Sequence, residues 1–228
     1  MLSCPKARFG SRNWSSFGPD MEATYGFLLL AGLSLALFYS SGQLQPRALV
    51  AVLAWVLVVS AFALSGLFSD DPRRFIGVMA GLFAGTGLLI WYAPQRPVAQ
   101  GWFFALHSLR MGVEWVLHEL YGQGLVPRLM TWDGWNFDIA IGITAALLGL
   151  VHLVRKKPLP ALAWKIWNLT GLAFLLWIVA IAIFSAPLPL QQLAFDQPNV
   201  AVLSFPFCLL PALVVPLVFL AHWRALRS

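Results

Sequence analysis

The 228-residue chain is 60% hydrophobic and only 11% charged, whereas roughly 25% of residues are charged in soluble domains. So few charged residues cannot cover a water-facing surface, and the same composition excludes an intrinsically disordered chain. The two cysteines, Cys4 and Cys208, are too few for a disulfide framework or a cysteine-based zinc site. The composition is typical of an integral membrane protein.

The basic residues have a distinctive distribution. Fifteen Lys and Arg against nine Asp and Glu give a net charge of +6, which in a soluble protein would point to nucleic acid. Here they lie mostly in short gaps between apolar segments, where Lys and Arg set membrane orientation and contact anionic lipid. We therefore predict a lipid bilayer as the partner, with no nucleic acid.

The apolar segments predict an all-α transmembrane bundle of seven helices, since a helix needs about 20 apolar residues to cross the hydrocarbon core. The predicted spans are 23–46, 48–69, 75–95, about 101–121, about 135–154, about 162–186 and about 200–223. The chain then divides into a polar N-terminal extension (1–22), one seven-helix domain (23–223) and a basic tail (224–228).

Lys and Arg in the short loops predict the orientation of the bundle. One side receives Arg47, Arg96, the basic run 155–157, Arg224 and Arg227, and the other receives Arg73, Arg74 and Arg128. We assign the first side to the cytoplasm, which places the C-terminus inside and the N-terminus outside. The polar stretch 1–20 opposes this assignment, because it would add basic residues to the outer side. Since Met21 directly precedes the first span, we interpret that stretch as an upstream extension or a misassigned start. Without a convincing cleavage site, the first apolar segment is predicted to be retained.

The fourth predicted helix carries ionisable residues at membrane depth. At 100° per residue, four of them fall within an arc of roughly 80°. They are His107, Arg110, Glu114 and His118. Because charges in hydrocarbon are costly unless they are paired or hydrated, this face is predicted to look into the bundle and to be functional. The alternative is a purely structural Arg110–Glu114 pair one helical turn apart.

Positions along neighbouring helices extend this face to Asp138 on the fifth helix and Asn168 on the sixth. We predict three tiers, from the outside inwards: His118 with Asp138, Arg110 with Glu114, and His107 with Asn168.

The two longer outer loops supply further candidates. Asp133 and Asn136 precede the fifth helix, and Asp196 and Asn199 precede the seventh. The simpler interpretation makes these residues turns and helix caps. The alternative places Asp196 and Asn199 over the outer mouth of the polar column.

Four histidines raise the question of a metal or haem. Haem held by two histidines needs both at one depth, and only His107 with His152 or His222 could supply them. Since His152 and His222 neighbour basic residues, where a histidine at headgroup level needs no ligand role, we predict no cofactor and no metal, with haem as the alternative. The sequence has no HExxH, GxSxG, Walker A or dinucleotide fingerprint, so no reaction can be named.

Glycine and proline spacing bears on helix packing. Gly77, Gly81 and Gly85 recur every four residues on the third helix, which predicts close helix packing, with a homo-oligomer as the alternative. The seventh helix contains three prolines, at positions 206, 211 and 216. Each removes an intrahelical hydrogen bond, so this helix is predicted to be kinked or broken.

Several segments together resemble an uncharacterised family of bacterial multi-pass membrane proteins. They are Arg110-x-x-x-Glu114, Asn136-Phe137-Asp138-Ile139, Trp167-Asn168, Ser185-Ala186-Pro187, the run 194–202, Phe205-Pro206-Phe207 and Leu210-Pro211. The resemblance covers roughly Arg110 to the C-terminus and implies a bacterial inner-membrane protein with no established reaction. Trp135 stands where a basic residue is expected, so any charge pairing by that residue is doubtful here.

Three functional hypotheses follow. The leading one is a small-solute, ion or proton pathway, in which Glu114 and Asp138 carry a proton or cation, histidines relay it, and Arg110 balances their charge or holds an anionic group. The second is an intramembrane enzyme acting on a lipid or other apolar substrate, with Glu114 or Asp138 as general acid or base. The third is a non-catalytic assembly or sensor subunit with a structural charged cluster.

Overall fold

The computed structural model describes residues 19–92 and 97–227, and this part of the chain confirms the prediction of an all-α fold. Its seven long helices are α1 (Met21–Ser40), α2 (Pro46–Leu64), α3 (Arg74–Tyr92), α4 (Gln100–Gly122), α5 (Asp138–Arg155), α6 (Ala161–Ser185) and α7 (Val215–Arg227). Most of the predicted N-terminal extension, with Cys4, lies outside the described residues, as does Arg96.

Five helical segments of the described chain are long and apolar enough to cross a membrane: α1, α2, α5, α6 and the segment Leu210–Arg227. Their outer surfaces are apolar, with large side chains such as Leu57 and Val154 exposed. An extended exposed apolar surface is unfavourable in water and suits a hydrocarbon environment. Five candidate spans indicate a membrane protein, while the arrangement of seven spans stays a prediction.

The ionisable helix α4 packs against α1, α5 and α7. Gly142 allows α5 to approach α4 closely, because a Cβ at this position would lie 2.8 Å from the backbone nitrogen of Met111. Small residues at such contacts bring helix backbones together. The close approach brings the start of α5, with Asp138, against the polar face of α4.

The predicted glycine ridge on α3 is only partly in contact with the bundle. A Cβ added to Gly81 would lie 3.4 Å from the ring of Trp55 on α2, whereas one at Gly77 or Gly85 would meet no described heavy atom within 4 Å. Close packing is therefore seen at Gly81, and a homo-oligomer through this ridge stays a prediction.

The predicted seventh helix is broken, which confirms the expectation from its prolines. The chain forms a single 3₁₀ turn at Ala201–Leu203, then a π-helical turn at Leu210–Val214, and becomes regular only in α7. Pro216 has no N–H to donate to the carbonyl of Ala212, four residues earlier. The indole Nε1 of Trp55 donates to that carbonyl instead, at 3.2 Å.

Candidate functional site

The polar face of α4 points into the bundle, where His107, Arg110 and Glu114 are all buried. The side chain of His118, at the other end of this face, is 35% exposed. Glu119, on a different face of α4, is exposed. The ionisable residues thus form a row from the bundle interior to its surface.

Arg110 forms a bidentate ion pair with Asp138 at the start of α5. Its Nε donates to Oδ2 at 3.1 Å and its Nη2 donates to Oδ1. Among the ion pairs of the described residues, Arg110 is thus matched with Asp138, and the predicted pairings of Arg110 with Glu114 and of Asp138 with His118 are wrong. The long guanidinium side chain reaches the neighbouring helix, where the carboxylate geometry allows two parallel hydrogen bonds.

The same guanidinium contacts His222 on α7, with 3.2 Å between Arg110 Nη1 and His222 Nε2. Because arginine can only donate, Nε2 must accept, which places the ring proton on Nδ1. Nδ1 lies 3.0 Å from Oδ1 of Asn168 and donates to it, and Asn168 Nδ2 donates to the carbonyl of Trp164 at 2.8 Å. This directed chain of hydrogen bonds fixes a neutral tautomer of His222 and links α4, α6 and α7.

Gly171 on α6 provides the space for the His222 ring. A Cβ at this position would lie only 2.5 Å from Cε1 of that ring. The carbonyl of Gly171 also accepts a long hydrogen bond from Arg110 Nη2, at 3.5 Å. A glycine is therefore needed here for close approach, a constraint that its sequence context does not reveal.

His222 is fully buried and bonded to Arg110 and Asn168, so the interpretation of this histidine as a residue with only a local role beside Arg224 is wrong. Its neighbour Arg224 is a misleading signal, because this guanidinium turns towards the loop after α1, where it donates to the backbone and side-chain oxygens of Gln43. The spacing of Val218, His222 and Ala225, all on the buried side of α7, is the signal that could have placed His222 inside.

His107 lies at the inner end of the row and packs against His222, with ring centroids 4.1 Å apart and the ring planes tilted by 34°. Phe103 packs on it at 4.3 Å. Neither ring nitrogen of His107 has a hydrogen-bond partner among the described residues, although both are buried. The predicted pairing of His107 with Asn168 is therefore wrong, since His222 takes that partner.

These contacts also bear on the metal and haem alternatives. Because the rings of His107 and His222 touch, a porphyrin cannot lie between them in this arrangement. His152 bonds the carbonyl of Lys157 through Nδ1, at 3.1 Å. Within residues 19–92 and 97–227, no group of three or more His, Cys, Asp or Glu side chains could hold a metal ion.

Glu114 lies one turn from Arg110 and is held by Asn136. Asn136 Nδ2 donates to Glu114 Oε1 and, at 2.9 Å, to the carbonyl of Met130. Its Oδ1 accepts the backbone N–H of Asp138 at 3.0 Å, so Asn136, which directly precedes the N-cap Phe137, satisfies the first backbone N–H of α5. Glu114 Oε2 is buried and has no hydrogen-bond partner in the described part of the chain. The buried cluster therefore contains one guanidinium, two carboxyl groups and one unsatisfied carboxyl oxygen.

The family model of a domain of unknown function, DUF8737, matches residues 74–228. The chain belongs to the DUF8737 family. The matched region runs from α3 to the C-terminus and contains every residue of the polar cluster, whereas α1 and α2 precede it. Comparison with curated proteins and with solved structures found no match to the chain.

The loop candidates of this DUF8737 chain lie in different surroundings. His118 stacks on Trp132, with centroids 4.2 Å apart, and its Nδ1 lies 3.8 Å from Oδ2 of Asp133. Asp133 thus takes the place next to His118 that was predicted for Asp138. Asp196 is exposed, whereas Asn199 is buried and donates its backbone N–H to Ser185 at the end of α6.

Gln197 is a structural residue of the DUF8737 region that the sequence argument did not single out. Its Nε2 donates to the carbonyls of Tyr121 and Val126, at 3.0 and 2.6 Å. The backbone N–H of Val200 donates to Leu125 at 3.0 Å. These bonds fasten the loop before the broken helix to the end of α4.

Proposed function

We propose that this DUF8737 protein is a seven-helix proton pathway protein of the bacterial inner membrane, with its C-terminus in the cytoplasm. The five apolar helical segments support the membrane location, and α3 and α4 are the two remaining spans of the proposal. The exposed Lys156, Lys157 and Arg227 support the proposed inner side, since basic residues favour the cytoplasmic face.

The observation that carries the proposal is the unsatisfied oxygen of Glu114. Asp138 is matched by Arg110 through two hydrogen bonds, so the single cation of the cluster is already used. An ionised carboxylate that is 1% exposed and lacks a countercharge is costly. Glu114 therefore holds a proton while it is buried and releases it when water or another acceptor reaches it, which is the behaviour that a proton pathway requires.

His118 is the entry group on the proposed outer side. It lies four residues, or about 6 Å along the helix axis, from Glu114 on the same face of α4. Its ring is partly exposed beside Asp133 and Trp132, so it can exchange protons with water. An imidazole ring can both donate and accept a proton, which suits this role.

Arg110 separates Glu114 from the inner histidines. A fixed positive charge opposes continuous proton passage, as it does in other selective pores. We propose that protons cross only when Arg110 shifts relative to Asp138 and His222, after which His107, with both ring nitrogens unpartnered among the described residues, accepts the proton. The pathway is therefore a gated relay, not an open channel.

Proton flux into liposomes tests this proposal. The purified protein is reconstituted with a trapped pH indicator, and a potassium diffusion potential drives protons inwards. We expect flux above that of empty liposomes and a loss of at least about tenfold in Glu114→Gln, which keeps the shape but not the exchangeable acid. The matched control is Glu119→Gln on the same helix, whose side chain is exposed and whose flux should be unchanged.

Two results would overturn the proposal: wild-type flux no greater than that of empty liposomes, or equal flux in wild type and Glu114→Gln. If the liposomes took up sodium instead of protons, the site at Glu114 would be a sodium site.

A second candidate is the non-catalytic assembly subunit. It is favoured by the hydrogen bonding of Arg110, Asp138, His222 and Asn168, which joins four helices and, with the long bond to Gly171, gives four of the five Arg110 N–H groups an acceptor. This candidate expects no flux and no effect of Glu114→Gln beyond stability. The intramembrane-enzyme alternative stays a prediction.

A further inference from the structure

A cavity of about 340 Å³ lies between α3, α6 and the broken start of helix seven. Its volume falls within the range of sites that hold small organic molecules, about 300–1,000 Å³. The described lining side chains are apolar except for two, Thr86 and Asn199. None of the ionisable residues of the polar cluster lines it, so the cavity is separate from the proposed proton pathway.

The irregular backbone of helix seven explains why this space is open. Pro211 and Pro216 both line the cavity, in the stretch where the chain passes from a π-helical turn into α7. A regular helix would present a continuous row of side chains to α3, whereas the broken segment leaves a gap. The cavity is therefore part of the fold and not a local packing fault around one side chain.

The cavity reaches the outer surface of the bundle at Leu176. This side chain lines the cavity and is also 51% exposed, near the middle of the proposed span α6. In a bilayer, the surface at this depth faces lipid chains and not water. A molecule that enters here therefore comes from the hydrocarbon phase.

Asn199 supplies one polar group to this apolar cavity. It is 1% exposed, its Nδ2 donates weakly to the carbonyl of Ala182 at 3.4 Å, and its Oδ1 has no hydrogen-bond partner within the described residues. A buried amide oxygen without a donor is unfavourable. The missing partner is a hydrogen-bond donor, and a hydroxyl group of the ligand would supply it.

We propose that this cavity binds a single-chain lipid with a hydroxyl group at its polar end, such as a fatty alcohol or a monoacylglycerol. The hydrocarbon chain lies against Met79, Val179 and Phe219, and the hydroxyl donates to Asn199 Oδ1 once this buried amide turns towards the cavity. On α3, the lining extends from Phe75 to Thr86, eleven residues or about 16 Å, which matches an extended chain of medium length. The proposal is independent of proton movement.

Photo-crosslinking of the full chain in detergent tests the site. The two probes are a diazirine-bearing fatty alcohol and its methyl ether, which differ only in the hydroxyl donor. We expect cross-links to map to the facing surfaces of α3, α6 and helix seven. We also expect the alcohol to label about three- to tenfold more than the ether, as for one buried hydrogen bond.

Three variants separate the contributions to binding. Asn199→Leu removes the acceptor and should make labelling by the two probes equal. Ala182→Phe narrows the cavity and should reduce labelling by both. The matched control Leu169→Phe adds the same ring to the outer surface of α6, where Leu169 is 56% exposed and does not line the cavity, and should change neither.

The proposal is overturned by cross-links spread evenly over the exposed apolar residues of α2 and α5. It is also overturned by labelling that Ala182→Phe does not reduce, or by an alcohol preference that persists in Asn199→Leu. Each variant is first checked for a monodisperse elution profile. Val179→Trp replaces Ala182→Phe if the latter fails this check, and the same loss of labelling is expected.

Discussion

Arg110 on α4 and Asp138 on α5 are joined by two parallel hydrogen bonds in the interior of the bundle. The pair fixes the start of α5 against the middle of α4, and through His222 it also reaches α7. It therefore contributes to the helix arrangement whether or not protons move past it.

Breaking this pair should be strongly destabilising, because one partner leaves the other as an uncompensated buried charge. Asp138→Asn or Arg110→Met alone should lower the free energy of unfolding by about 3–5 kcal/mol. The double variant should lose much less than the sum of the two single losses. Unfolding in mixed micelles, analysed as a double-mutant cycle, measures this difference. Strictly additive losses would contradict a direct pair.

The position of Gly171 leads to a second prediction. Gly171→Ala places a Cβ 2.5 Å from the His222 ring, so the ring must move and weaken its bonds to Arg110 and Asn168. We expect a loss of about 1–3 kcal/mol, as for other overpacked cores. Nitrogen NMR of labelled histidine should show the Nδ1-protonated tautomer of His222 in the wild type and a changed signal in the variant.

Gly122→Ala is the control for this substitution, because a Cβ there would meet no described heavy atom within 4 Å. Its His222 signal should match that of the wild type, and its unfolding free energy should be unchanged or higher by up to about 1 kcal/mol, because alanine is the better helix former. An Nε2-protonated His222 in the wild-type protein would contradict the hydrogen-bond directions derived above.

The sequence predicted the polar face of α4 correctly because helical periodicity alone decides which residues share a face. It also predicted the break in helix seven, since proline acts on its own backbone. The sequence could not predict which side chains on neighbouring helices pair with this face. Whether Arg110 reaches Glu114 or Asp138 depends on how closely α5 approaches, and that is set by Gly142 against Met111.

Asn136 and His222 also show that the sequence does not decide which side chains meet. Each has a sufficient local explanation, one as a helix cap and the other as a histidine beside Arg224, and neither local explanation requires a place in the cluster. Asn136 in fact accepts the first backbone N–H of α5 and holds Glu114 at the same time. His222 lies in the cluster while Arg224 binds Gln43 in the loop after α1, a contact between residues far apart in sequence that the local pattern does not show.

The proposed orientation leads to a third prediction, on the accessibility of single cysteines. In a Cys4→Ser background, with Cys208 retained because it is buried, Asp196→Cys should react with a membrane-impermeant maleimide in intact cells. Lys157→Cys should react only after the cells are lysed, since its loop is predicted to be cytoplasmic. Both native side chains are exposed, so access to the reagent and not burial decides the result. The opposite labelling pattern would reverse the orientation.

The hydrogen bond between Trp55 and the carbonyl of Ala212 gives a fourth prediction, in which a second substitution restores the stability lost by the first. Trp55→Phe keeps an aromatic ring on α2 but leaves the carbonyl of Ala212 without its donor, at a cost of about 1–3 kcal/mol. Adding Pro216→Ala restores a backbone N–H at the position that would normally donate to this carbonyl. The double variant should therefore recover much of the lost stability, measured by thermal unfolding in detergent. If Pro216→Ala instead adds its own loss to that of Trp55→Phe, the indole does not replace a bond that proline removed, and the break in helix seven is held by other contacts.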